Sequence, residues 1–223
     1  MTIRLEFLKS SPYFYGLDPA QLDSLGKFAF EKTAERGEIL VFEGEPDNAL
    51  YFVVSGVMKA FKTSADGKEQ ILYLIRPGES FNEVPVFSGG PNLASAEAMG
   101  PVLLYVIKRS DLEVILREYP QVALNTIQVL SRRVQHLVSL IEDLSFRHVT
   151  GRVAKILLEH AGDGTSQGPR LTQQEMAAMA GTAREMVGRS LKSLEEEGTI
   201  RLDRHRIVIT DKEALKEMAN VPS

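Results

Sequence analysis

The 223 residues include no cysteine. The chain can therefore form no disulfide, offers no thiolate nucleophile and cannot hold a cysteine-ligated zinc ion or iron–sulfur cluster. Histidine is scarce as well, with four in all and the first at His136. A domain built from residues 1–135 lacks the usual axial ligands of haem and the strand histidines of a metal-dependent β-barrel enzyme, so neither haem nor a metal nor an enzymatic activity is expected. No stretch reaches the roughly 18 uninterrupted apolar residues of a membrane helix, and the opening MTIRLEFLKSSPYF has no signal-peptide core. A soluble, cytoplasmic protein with no membrane partner is the expectation.

A surplus of positive charge is also missing. The formal net charge of −4 argues against a protein that coats nucleic acid indiscriminately. The deficit is uneven: residues 1–148 carry 15 Lys+Arg against 19 Asp+Glu, whereas residues 149–223 carry 11 of each. In that second part Arg184, Arg189, Lys192, Arg201, Arg204 and Arg206 gather apart from Glu195, Glu196 and Glu197, which makes one basic face plausible.

What is present is 43% hydrophobic content, enough for real cores, distributed in three patterns. Asp18-Pro19-Ala20-Gln21 starts a short helix that runs to about Gly26. From GEILVFEGE to PVLLYVIK, short β-rich runs are broken at Gly56, Asp66-Gly67, Pro77-Gly78 and Gly89-Gly90-Pro91, the pattern of an antiparallel roll. After Pro120 a helix runs unbroken to about Arg147. Along it Ile127, Leu130, Val134, Leu137, Ile141 and Leu144 alternate steps of three and four, with β-branched residues at each a position and leucine at each d. That order favours a parallel two-stranded seam and hence a homodimer, although a single helix packed on its own core has the same spacing. His136 lies one step off the seam and reads as a helix surface residue. The expected class is α+β, with a β-roll over 1–110, a dimerisation helix and hinge over 111–148, and a winged helix-turn-helix over 149–223.

In the last segment Thr172 with Glu175 and Thr182 with Glu185 each match a capping box, so two short helices should meet at Gly181. Met186, Val187, Leu191 and Leu194 form the expected buried stripe of the second helix. Arg184, Glu185 and Arg189 lie near its N-terminal end, with the arginines about 140° apart around the axis. TIRLDRHRIVIT alternates like a small hairpin, a wing with Asp203 to His205 near the tip. An arginine fork can hold guanine O6 and N7, and a carboxylate can accept from cytosine N4, so the trio has the vocabulary of major-groove reading. A solvated face carrying a surface ion pair has the same composition.

The order of GEILVFEGEPDNALYFVVSGVMKAF, RPGESFNEVPVFSGG, FRHVTGRVAKILL and TQQEMAAMAGTAREMVGRSLKSLEEEGTI over nearly the whole chain is similar to the cAMP receptor protein and fumarate–nitrate regulator (Crp/Fnr) superfamily of bacterial transcription factors. The resemblance implies a cyclic-nucleotide-binding-type roll, a dimerising helix and a winged helix that binds double-stranded DNA, with RNA polymerase as partner. By position, Arg184, Glu185 and Arg189 match the family's base readers, which implies a TGTGA-like half-site and an activator. Thr172, Thr182, Lys192, Arg204 and His205 complete the implied DNA-facing set, and the loop Gly162 to Gly168 is a candidate polymerase surface. An effector, if held, is implied to lie by Asn82, Glu83, Asn92, Leu93, Ser95, Leu137 and Val138. Here the chain departs from the cAMP-binding pattern. Asn82 replaces a glycine, Leu93 and Ala94 replace the arginine and serine that hold the phosphate, and Leu137 and Val138 replace helix hydroxyls. A buried cyclic phosphate without a cation costs several kcal/mol, so no cAMP response is expected. A small-ligand-binding module acting through a protein partner is the alternative function.

Overall fold

The computed structural model describes residues 5–160, 171–203 and 206–219. Two compact units divide it, one of residues 1–62 and 73–137, the other of 63–72 and 138–223. In the first, α1 (Leu5–Ser10) and a short 3-10 turn (Pro12–Phe14) lead to α2 (Pro19–Gly26). Asp18 caps α2 by accepting from the amides of Ala20 and Gln21 at 2.9 Å, while Gln21 Oε1 accepts from the Asp18 amide.

Eight strands follow: β1 (Ala29–Ala34), β2 (Ile39–Val41), β3 (Ala49–Ser55), β4 (Met58–Thr63), β5 (Glu69–Ile75), β6 (Ser80–Phe81), β7 (Ser95–Ala98) and β8 (Val102–Lys108). They form two four-stranded sheets in the orders β1-β8-β3-β6 and β2-β7-β4-β5. Side chains alternate across a strand, so β3 sends Leu50 and Phe52 with Tyr105 and Ile107 toward a core shared with residues of α1 and α2. Tyr51 and Val53, with Leu104 and Val106, turn to a second core shared with Met58, Ala60, Ala96 and Ala98 of the other sheet. Both faces being covered, β3 is apolar along most of its length rather than alternating. Between β3 and β4 the turn requires glycine. Gly56 has φ +83°, and a Cβ there would stand 2.4 Å from the Pro101 carbonyl oxygen. A helix not anticipated from the sequence, α3 (Glu83–Ser88), follows β6.

After α4 (Arg109–Glu118), α5 spans Pro120–Phe146. Its start is tied to the N-terminal turn by Asn125, whose amide donates to the carbonyls of Tyr13 and Tyr15 at 2.9 Å. Its last turns are fixed within the second unit. Asp143, 8% exposed, accepts from Arg147 at 2.5 Å and from Lys155 of α6 (Val149–His160). Arg152 of α6 donates to the carbonyls of Arg147 at 2.5 Å and Ala180 at 2.7 Å. Burial lowers the pKa of that guanidinium.

The rest of the second unit is α7 (Gln173–Ala180), α8 (Arg184–Glu196), the antiparallel wing of β9 (Ile200–Asp203) and β10 (Arg206–Ile209), and α9 (Lys212–Met218), which the sequence reading did not anticipate. Its core joins Val153, Leu157, Met176, Ala180, Val187, Leu191, Leu194, Ile200 and Leu215. One expected core residue is misplaced: Met186 is 38% exposed, and Ser190 is buried instead. Val187, Ser190, Leu191 and Leu194 are the i, i+3, i+4 and i+7 set, whereas Met186 sits a 100° step away from Val187. Ser190 Oγ meets Thr150 Oγ1 at 3.2 Å, which satisfies its hydroxyl inside the core.

Candidate nucleic-acid interface and effector pocket

The first helix of the pair is capped as its sequence requires. Thr172 Oγ1 accepts from the Glu175 amide at 3.1 Å, and Glu175 Oε2 accepts from the Thr172 amide at 2.6 Å. The second expected box does not form. The N-cap of α8 is Ala183, with no side-chain bond, because Thr182 belongs to the turn: its amide donates to the Ala177 carbonyl at 3.0 Å. Gly181 makes that turn possible at φ +61°, where a Cβ would stand 2.7 Å from Leu144 Cδ2 and 2.8 Å from Gln70 Oε1. No side chain caps α8, and in its first turn Glu185 supplies a negative charge that suits the positive end of the helix dipole.

Arg184, Glu185, Arg189 and Lys192 are all exposed on α8. Glu185 and Arg189 are four residues apart, the spacing of a surface ion pair. Among the described residues, however, no carboxylate lies within salt-bridge distance of either Arg184 or Arg189. Lys192 meets Glu196 at 3.6 Å with both side chains mostly in solvent, a pair worth little. Among the described residues, therefore, both guanidinium forks are exposed without a carboxylate partner. Glu195 Oε1 accepts from the Leu202 amide at 2.8 Å and so anchors the wing to α8. Thr172 is exposed and Thr182 half-buried; Arg204 and His205 lie outside the described residues, as does the loop 162–168.

In the roll, most of the residues named for an effector are engaged by neighbouring side chains or by the backbone, while the buried Asn92 Oδ1 has no hydrogen-bond partner among the described residues. Glu83, 4% exposed, accepts from Ser80 Oγ at 2.6 Å and from Tyr13 Oη at 3.3 Å, and Arg133 of α5 lies 3.7 Å from the same oxygen. Arg133 also donates to the Ser80 carbonyl at 3.0 Å and stacks 3.7 Å over the Tyr73 ring. Burial, then the Glu83 charge, holds the Tyr13 phenol well above its usual pKa and pushes Tyr73 up to about 12. This network joins four separate stretches of chain, and no local sequence signal announces it. Asn82 takes the left-handed conformation at φ 73°, open to asparagine as to few residues other than glycine, and its amide donates to the Ala49 carbonyl at 3.0 Å. Asn92 donates to the Phe42 carbonyl at 3.0 Å, and Ser95 Oγ accepts from the Glu43 amide at 3.0 Å. Leu93 is 57% exposed; its carbonyl accepts from Lys62, which is paired with Glu43 at 2.6 Å.

On the long helix, Ile127, Val134, Ile141 and Leu144 are exposed, joined by Leu124 and Val138, while Leu130 and Leu137 are half-buried. His136 is exposed beside Tyr73, with the ring centroids 6.3 Å apart. Among the described residues no cluster of His, Asp and Glu is placed to hold a metal, and no helix is long and apolar enough to cross a membrane.

A two-sheet roll, a long helix and a winged helix-turn-helix with an open basic edge define a DNA-binding transcription regulator. Comparison with known proteins gives the same class. Residues 31–119 match the cyclic nucleotide-binding domain and residues 151–218 the Crp-like helix-turn-helix domain. The cyclic AMP receptor protein of Thermus thermophilus is 34% identical over 212 residues, which cover 95% of this chain and 98% of that one. A CRP-like cAMP-activated global transcriptional regulator of Mycobacterium tuberculosis is 33% identical over 221 residues, with 96% and 99% covered. The solved structure of FixK2 from Bradyrhizobium japonicum superposes with a TM-score of 0.77 at 25% identity, covering 87% of this chain and 99% of that one. The chain belongs to the Crp/Fnr family of transcription regulators.

Proposed function

We propose that this regulator acts as a homodimer that reads a TGTGA-like palindrome through Arg184, Glu185 and Arg189, works as an activator with RNA polymerase in the cytoplasm, and does not respond to cAMP. The observation that carries the proposal is the pair of exposed arginine forks in the first half of α8, neither with a carboxylate in reach among the described residues. Two such helices enter successive major grooves about one helical turn apart when the long helices pair. The apolar stripe of α5, with Ile141 63% exposed in the single chain, is the surface that pairing removes from water. The activator role and the polymerase partner are carried over from the family.

The relatives' names make independence of cAMP the sharper claim. It is supported by the roll, where Glu83 already accepts two hydroxyl bonds and Leu93 and Ala94 bring no cation. Lys62, which reaches the Leu93 carbonyl, is paired with Glu43. No cofactor is assigned: without cysteine there is no cysteine-ligated cluster, and residues 1–135 hold no histidine or cysteine to ligate haem. Sedimentation should give twice the chain mass, and a gel shift on a TGTGA palindrome should be salt-dependent and unchanged by cAMP. A single-chain mass, equal binding to random duplex, or micromolar cAMP binding that tightens operator affinity would each defeat its part of the proposal.

A further inference from the structure

The exposed Met186 gives the reading edge an apolar member. Its neighbour Val187 is fully buried, yet Met186 is 38% exposed, beside Glu185 and three residues before Arg189. Residues three apart are neighbours on a helix surface, so positions 186 and 189 share one side of α8. Around the axis, Arg184 and Met186 bound the two sides of the exposed face, and Glu185 and Arg189 lie between them. An unbranched, polarizable side chain on a charged edge has no charge to pair with ions there, and its own domain leaves 38% of it exposed. It is suited to an apolar group brought by a partner. The apolar group that the major groove displays is the thymine C5-methyl.

We infer that Met186 is a specificity-determining residue that contacts the methyl of a thymine in the base pair next to the guanine taken by Arg189. The inference rests on the DNA-reading role proposed above for the same helix. An operator is first selected from random duplexes with the full-length protein. Each thymine of that operator is then replaced in turn by deoxyuridine, which removes the C5-methyl and nothing else, and affinity is measured by fluorescence anisotropy. One thymine per half-site should show weaker binding to the wild type by about fourfold per methyl lost, the value expected for one buried methyl-sized group. Met186→Ala should bind the thymine and deoxyuridine forms alike, and Met186→Leu should keep part of the preference. Should the alanine variant melt early, Met186→Gln keeps the length and carries the same test.

A deoxyuridine penalty that survives in Met186→Ala, or a wild type that binds its operator tightly with no such penalty at any thymine, overturns the inference and leaves the DNA-reading role standing. Failure to select any duplex is a different result: it removes that role and this inference with it.

Discussion

The reading helix and the roll treat charge in opposite ways. On α8, Arg184 and Arg189 face solvent with no carboxylate in reach among the described residues, although Glu185 has the spacing to serve. In the roll, Glu83 and Arg133 are turned inward onto Ser80, Tyr13 and Tyr73. An exposed unpaired fork contributes little to the fold and is available to a partner. A buried, satisfied network contributes to the fold and has little left to offer a ligand. Family membership leads one to expect a ligand at both places, but their electrostatics differ.

Four measurements break or sharpen that contrast. The largest effect should come from Arg133→Ala, which leaves the Glu83 carboxylate without its cation and uncovers Tyr73. Urea unfolding should show a loss of about 3 kcal/mol, while operator affinity of the folded fraction is unchanged. Unaltered stability would mean that the network is incidental.

Next is alkaline pH. Tyr73 is raised from an ordinary value of 10.0 to about 12, and Tyr13 is raised too. A phenol whose folded pKa exceeds its unfolded one gives stability that is complete below the unfolded value and lost as pH climbs toward the folded one. The roll should therefore weaken between about pH 10 and 12, by roughly 2–3 kcal/mol for Tyr73, and Tyr73→Phe should flatten that slope. A flat wild-type profile would contradict the burial argument.

Arg189→Ala should do the reverse of Arg133→Ala. Operator affinity should fall by about 1–3 kcal/mol at one base pair per half-site, with little change on random duplex and none in melting temperature. Equal losses on both duplexes would reassign Arg189 to phosphate contact. The smallest effect belongs to Lys192→Ala, expected to weaken binding to all sequences alike and to lower the salt slope by about one. A sequence-dependent loss there would widen the reading set.

Local patterns were legible where local forces decide. The unbroken helix of α5, the Asp18 cap and the Thr172–Glu175 box all appear as their spacing indicates. Thr182 and Glu185 have the same spacing and form no box, because the left-handed Gly181 and the Ala177 carbonyl draw Thr182 into the turn. Hydrophobicity placed Met186 inside; helix phase exposed it and buried Ser190, whose hydroxyl meets Thr150. The Glu83 network was invisible because Tyr13, Ser80, Glu83 and Arg133 are brought together only by the folded roll. The open arginines were legible as residue types but not as unpaired ones, since that depends on side-chain placement.

Arg152 and Asp143 determine what kind of joint follows the long helix. By fastening its final turns to α6 and to the end of α7, they replace a loose tether with a welded axle. In the homodimer proposed above, the last turns of each long helix would turn together with α6 and the end of α7, so torsion there would be carried into the helix pair and not lost in a slack hinge. Severing Arg152 should loosen that junction, freeing the carbonyls of Arg147 and Ala180 that it now holds.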